Sequence, residues 1–311
     1  MSCLCAGRPC YNFCGATANW QNGDTAYERR TMKAIDIHAH VPRHRDLPEY
    51  GIEPGLRKMF RMSGEPDSVQ QMADRYAAAD VKAVIFSVDA ETATGDKADP
   101  NDYVAEVVKR FPEQFFGFAT VDPHKGAAAV EELERAVTEL GLIGLKLHPI
   151  HMAFFPDDPA FEPLFSKAEQ LGIPVLMHTG YAAAGAGTPG GGGFKLAYAR
   201  PIPHVDNLAA DHPDLKIIMA HPAWPWIDEQ IAVALHKPNV YIDLSGWAPK
   251  YIPRQLISEA GGRLRRKVLF GSDYPYMPPE RWLEEFAALE IREEARELIL
   301  LENAKTVLGL S

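Results

Sequence analysis

The chain has 311 residues, 46% hydrophobic and 24% charged, an ordinary globular composition with room for one large barrel or two smaller domains. A formal net charge of -10 excludes a general binder of phosphate backbones, so no nucleic-acid partner is expected. No apolar run reaches the ~18 residues of a membrane span, and the start lacks the basic-then-apolar order of a secretory signal. A cytoplasmic protein without a membrane partner is therefore expected.

In chain order, the four cysteines come first: Cys3, Cys5, Cys10 and Cys14. Their spacing is irregular and not a paired C-x-x-C arrangement, so a metal knuckle is disfavoured. Residues 1–33 read as a disordered extension, and residues 34–311 as one domain without a disulfide. The first expected strand is Ala34–His40, followed by Lys82–Val88. A helix is expected over Asn101–Arg110, with Asn101 as its start signal. Strand Phe115–Asp122 follows, then a helical pattern at Val130–Val137 with apolar residues at i, i+3, i+6 and i+7. Strands Ile143–His148 and Pro174–His178 come next, and after them an Ala/Gly-rich loop, Ala182–Gly193. Strand Lys216–His221, helix Asp228–Leu235, strands Val240–Leu244 and Lys267–Gly271, and helix Glu293–Leu308 complete the series.

Strand alternating with helix implies parallel pairing. Eight such units predict an α/β fold, a single-domain (β/α)8 TIM barrel. The alternative is an open doubly wound sheet. His40, Asp122, His148, His178, His221 and Asp273 all sit at C-terminal strand ends. A barrel gathers those ends at one mouth, where an open sheet would spread them along an edge.

The strongest chemical signal is Ile37-His38-Ala39-His40. Residues i and i+2 of a strand share a face, so both imidazoles can reach one ion. His178 and Asp273 offer further donors, and three imidazoles with one carboxylate suit Zn²⁺ or a similar divalent ion. Asp273 has a second available job, accepting a proton from water. His221 reads as an acid/base neighbour rather than a ligand. Lys146, on an apolar strand, needs an anionic partner. A substrate carboxylate or carbonyl, an internal acid, or carbamylation to bridge a second metal would each satisfy it. His148 shares its face, while His44, His124 and His151 read as loop residues. The Gly185–Gly193 run matches no phosphate-loop or dinucleotide pattern and reads as a lid over the mouth. Aromatic residues including Trp224, Trp226, Trp247, Tyr274 and Tyr276 suggest a pocket for a flat, apolar substrate part.

Taken as an ordered set, Ile37-His38-Ala39-His40, Gly144-Leu145-Lys146-Leu147-His148-Pro149, Met177-His178-Thr179-Gly180, Ala220-His221-Pro222 and Gly271-Ser272-Asp273-Tyr274-Pro275 resemble the amidohydrolase superfamily. The closer likeness is to its amidohydrolase-related branch, which includes aminocarboxymuconate-semialdehyde decarboxylase. The resemblance runs from about residue 34 to the last residue. It implies one divalent metal, usually zinc, held by His38, His40, His178 and Asp273, with His221 as catalytic neighbour. The expected substrate contacts are Lys146, His148, Arg200, Trp224 and Tyr274. Tyr198-Ala199-Arg200-Pro201 and Trp224-Pro225-Trp226 are similar to a subgroup linked to 4-hydroxyphenyl-β-ketoacyl-CoA hydrolysis.

The branch holds both hydrolases and non-oxidative decarboxylases. The main expectation is hydrolysis: a metal-activated water attacks a carbonyl, Asp273 takes its proton, and His221 serves the oxyanion or leaving group. The alternative is decarboxylation of an aromatic or unsaturated acid in the same site, with Asp273 or His221 delivering a proton to carbon. A non-catalytic metal-binding barrel is the third reading. A small-molecule substrate is the expected partner, within a homodimer or larger homo-oligomer.

Overall fold

The computed structural model describes residues 32–47, 53–60, 62 and 65–310. The four cysteines, and with them all but the last two residues of the expected extension, lie outside the described residues. Among the described residues there are nine strand segments: β1 (Ala34–His40), β2 (Val81–Phe86), β3 (Phe115–Gly117), β4 (Ala119–Thr120), β5 (Leu145–Leu147), β6 (Val175–His178), β7 (Ile217–Ala220), β8 (Val240–Asp243) and β9 (Val268–Leu269). All their pairings are parallel, in two ladders, β1-β2-β3 and β4 through β9.

Backbone hydrogen bonds close both gaps between the ladders. Phe118 N donates to Ile85 O at 3.0 Å, and Ala119 N to Gly144 O at 2.8 Å. On the other side, Ile37 N donates to Phe270 O (3.1 Å), Asp273 N to His38 O (2.8 Å) and His40 N to Tyr274 O (2.8 Å). The result is the expected (β/α)8 barrel. The third expected strand, Phe115–Asp122, is broken at Phe118, where its pairing passes from one ladder to the other. The Phe118 ring is fully buried over Gly144, where a Cβ would come within 2.4 Å of it.

Pairing also modifies two other elements. Between Asp36 and Ala39 the β1–β2 register slips, from Asp36 opposite Ala83 to Ala39 opposite Ile85, leaving one extra residue on β1. Such a bulge re-aims side chains. The expected helix Glu293–Leu308 contains a π-helical turn over Leu298–Glu302. There Ile299 O accepts from Phe270 N at 2.9 Å, so this carbonyl serves the barrel wall.

Ile35, Ile37, Val84, Phe118, Leu176 and Ile218 belong to one buried cluster, and Ala304, Val307 and Leu308 pack with it. A larger shell lies between strands and helices; there Val104, Leu133 and Phe165 bury the apolar stripes of their helices against the strands. Among the described residues no helix is long and apolar enough to cross a membrane.

Candidate metal centre and active-site cavity

The barrel brings His38, His40 and Asp273 together, with one donor atom from each within 4.8 Å of the others. His38 Nε2 lies 3.3 Å, and His40 Nε2 3.2 Å, from Asp273 Oδ1. The bulge on β1 makes this arrangement possible. Asp36 and His38 are two residues apart, yet their side chains meet different partners. The His38 ring stands over Phe86 and His221, whereas Asp36 reaches Tyr76 on helix Val69–Ala79.

The donor set fits a divalent cation. His38 Nδ1 is 2.7 Å from Asp243 Oδ2, the carboxylate–imidazole pairing that presents the opposite nitrogen to a metal. Two imidazole nitrogens and a carboxylate oxygen then converge on one point. Nearby, His178 Nε2 is buried without a hydrogen-bond partner, as a donor reserved for an ion would be. His178 does not fall within the tight three-residue cluster. Its ring stacks on His148 at 3.9 Å and meets His221 edge-on at 4.7 Å.

Burial sets the electrostatics. It holds His38, His148 and His178 well below the ordinary histidine value, helped by Lys146 and neighbouring imidazoles, so these rings are neutral. His221 is pushed down to about 4 by burial, against the pull of Asp273. For Asp273 burial acts upward, but the His40 hydrogen bond and the positive neighbours outweigh it, and the pKa lies below the usual carboxylate value. Burial drives Lys146 down and Asp243 up, each opposed by the other's charge.

Lys146 Nζ lies 3.1 Å from His38 Nε2 and 4.7 Å over the Phe86 ring. Its internal carboxylate neighbours are Asp273 and Asp243. His148 is sandwiched between His178 and His151, the latter ring only 3.7 Å away and parallel. His151, expected in a loop, therefore joins the histidine stack, from the short helix Pro149–Met152. Trp224 lines the cavity and is half exposed, and Tyr274 is buried with its hydroxyl on Asp67. Arg200 stands apart from this wall. It is not among the cavity-lining residues, and its guanidinium forms an ion pair with Glu229 at 2.6 Å.

The cavity over the centre measures about 1380 Å³. Phe86, Tyr181, Trp247, Tyr251 and Tyr276 give it the expected aromatic character. Ala182, Ala183 and Ala184 bring the start of the Ala/Gly-rich loop to the wall. Further along that loop, the Phe194 ring lies 5.3 Å from His151.

Sequence reading missed the groups that hold the centre in place. Asp243 ends β8 and Ser245 follows it, and both touch His38. Asp36 is fully buried and accepts from His38 N (3.0 Å), Ser272 N (2.9 Å), Ser272 Oγ and Tyr76 Oη (2.8 Å). It thereby ties β1 to the turn that carries Asp273. A signal existed for Asp243: an acid ending an apolar strand, just as the flagged residues do. His221 and Asp273 also share left-handed backbone, with φ of 68° and 67°, conformations that concentrate at functional sites.

Residues 35–310 match the amidohydrolase family. The chain is 28% identical over 250 residues to gamma-resorcylate decarboxylase of Rhodococcus jostii, covering 68% of this chain and 75% of that protein. It is 27% identical over 242 residues to 2-amino-3-carboxymuconate-6-semialdehyde decarboxylase of Dictyostelium discoideum, covering 68% and 65%. An uncharacterized TIM-barrel protein of Bordetella bronchiseptica, Bb4693, superposes with a TM-score of 0.74 at 28% identity, covering 89% of this chain and 98% of the other. The decarboxylase relatives overturn the expected hydrolase reading, and with it the β-ketoacyl-CoA substrate. The physical reason is that one set of candidate donors, with an acid and an imidazole beside it, would suit either reaction. An acid that takes a proton from water can equally give one to carbon, so residue types did not discriminate. With 35–310 matched and the barrel closed, the chain belongs to the amidohydrolase family.

Proposed function

We propose that this protein is a metal-dependent decarboxylase that releases CO₂, without oxidation, from an aromatic or unsaturated carboxylic acid. The observation that carries the reading is the buried imidazole of His221 beside a three-donor cluster, beneath an aromatic cavity, in a chain whose relatives include acid decarboxylases. His38, His40 and Asp273 hold the ion, with His178 as fourth donor, and zinc is the ion that three imidazoles and a carboxylate favour. When bound, such an ion supplies a Lewis acid for the substrate's carboxylate and an adjacent oxygen.

The protein's own groups do the rest. The aromatic walls hold the planar acid and exclude water. Lys146 contributes positive charge near the carboxylate. His221 delivers a proton to the carbon that bears the carboxylate. That carbon takes the proton with a π pair of the ring or alkene; the C–C bond then breaks, its electron pair restores the π bond, and CO₂ departs. Protons balance as RCOO⁻ + H⁺ → RH + CO₂. A cytoplasmic homo-oligomer completes the proposal.

A panel of hydroxybenzoates and unsaturated diacids, assayed in D₂O, tests this. The expected result is CO₂ release with one deuterium on the vacated carbon. Label from ¹⁸O-water in a product carboxylate, with no CO₂ formed, would sink the decarboxylase reading. Elemental analysis of protein purified without added metal should find one ion per chain. Two reproducible ions would instead point to a carbamylated Lys146.

A further inference from the structure

We propose that Ser245 is a positioning residue that sets which ring nitrogen of His221 carries the proton. Ser245 is fully buried, and its Oγ lies 3.0 Å from His38 Nδ1 and 2.9 Å from His221 Nδ1. The Asp243 carboxylate is a further partner of this side chain. Ser245 therefore stands between an imidazole that holds the metal and an imidazole that serves the reaction.

Counting hydrogens fixes the direction. When His38 gives Nε2 to an ion, its single ring hydrogen sits on Nδ1. That hydrogen points to Asp243 Oδ2, the shorter contact at 2.7 Å. Asp243 is itself held, because its Oδ1 accepts from Ser245 N at 2.5 Å. His38 Nδ1 then has no lone pair to offer, and Ser245 Oγ can only accept from it. The Asp243 oxygens are already engaged by His38 Nδ1 and Ser245 N, so the serine's one hydrogen goes to His221 Nδ1 at 2.9 Å. A neutral His221 that accepts there carries its own hydrogen on Nε2, the nitrogen not held by Ser245, and His221 lines the cavity. Metal loading at His38 is thus linked, through one hydroxyl, to a donor-ready His221.

The neighbouring backbone supports this role. Gly246 follows Ser245 with φ of 72°, and a Cβ there would stand 2.7 Å from His221 Nδ1 and 3.2 Å from Asp273 Oδ2. The ring of His221 is seated against this segment and cannot turn away cheaply. The opposite tautomer has an acceptor too, since the Ser245 backbone carbonyl also faces His221. Choosing it would turn the Ser245 hydroxyl hydrogen from His221 onto Asp243, whose oxygens already accept from His38 Nδ1 and Ser245 N.

The test uses full-length ¹⁵N-labelled protein, metal-free and zinc-loaded, with long-range ¹H–¹⁵N spectra that separate the imidazole tautomers. His221→Gln identifies the signals of His221 among the eleven histidines. The expected wild-type result with zinc is hydrogen on Nε2. Ser245→Ala should lose that preference, keep its zinc, and slow CO₂ release about 10–100-fold, the usual effect of removing a group behind a ligand. Ser245→Thr, which keeps the hydroxyl, should restore both the spectrum and most of the rate. Ser245→Ala combined with His221→Ala should be no slower than His221→Ala alone. Hydrogen on Nδ1 in the wild type, or an unchanged tautomer in Ser245→Ala, would overturn the proposal. The spectra do not depend on any substrate. If no acid releases CO₂, the decarboxylase reading fails while the tautomer result still decides the role of Ser245.

Discussion

Three side chains of the site separate cleanly by experiment. His38→Ala removes a donor from the cluster and should yield protein without its ion, measured by elemental analysis. His221→Ala should keep the ion and lose a factor of about 10²–10⁴ in rate, the range for a positioned proton donor or acceptor. If it also strips the metal, His221 is a ligand and the assignment of roles is wrong. Asp243→Asn takes a carboxylate oxygen from behind His38, and metal affinity should fall about 10–100-fold in a chelator competition. His38 and His40 were legible in the sequence because a period of two is local. Asp243 was not, because its meaning lies in a partner 205 positions away. Arg200 shows the same limit: its motif is local, but its salt-bridge partner Glu229 sits on another element.

Strands and helices were readable from alternation alone, and each expected strand has a counterpart. What was not readable is where pairing interrupts them. The break at Phe118, the bulge after Asp36 and the π-helical turn at Leu298–Glu302 all arise from neighbours in space. The bulge matters most, since period-two reasoning puts Asp36 and His38 on one face. The segment after β8 offers an element-level test. Gly246→Ala would add a Cβ 2.7 Å from His221 Nδ1 at a left-handed φ. The expected cost is about 1–3 kcal/mol of stability from backbone strain. Thermal melts and turnover should show the rate falling further than that loss alone would cause. A variant with wild-type melting and wild-type rate would mean that the seat of His221 is looser than the geometry indicates.

For the whole molecule, deleting residues 1–31 should leave folding and metal content intact, because every described strand and the donor residues His38, His40 and Asp273 lie beyond them. Loss of metal on this deletion, or on replacing the four cysteines, would show that the extension contributes to the site. Chelation should lower the melting temperature, and reloading should restore it. An ion present at 1,000 times its Kd stabilises the state that binds it by about 4 kcal/mol. Identical melts with and without the ion would argue against a centre preformed by the fold. The barrel architecture was legible in the sequence, but the hydrogen bonds that close it were not. Those bonds join Ile37, His38 and His40 to Phe270, Asp273 and Tyr274, and Asp36 reaches Ser272 across 236 positions. A ribosome making this chain emits the paired histidines with β1 and their carboxylate partner only after β9. An ion can therefore be gripped by all its donors only after nearly the whole barrel has been translated, so a nascent or prematurely terminated chain is barred from the chemistry by topology.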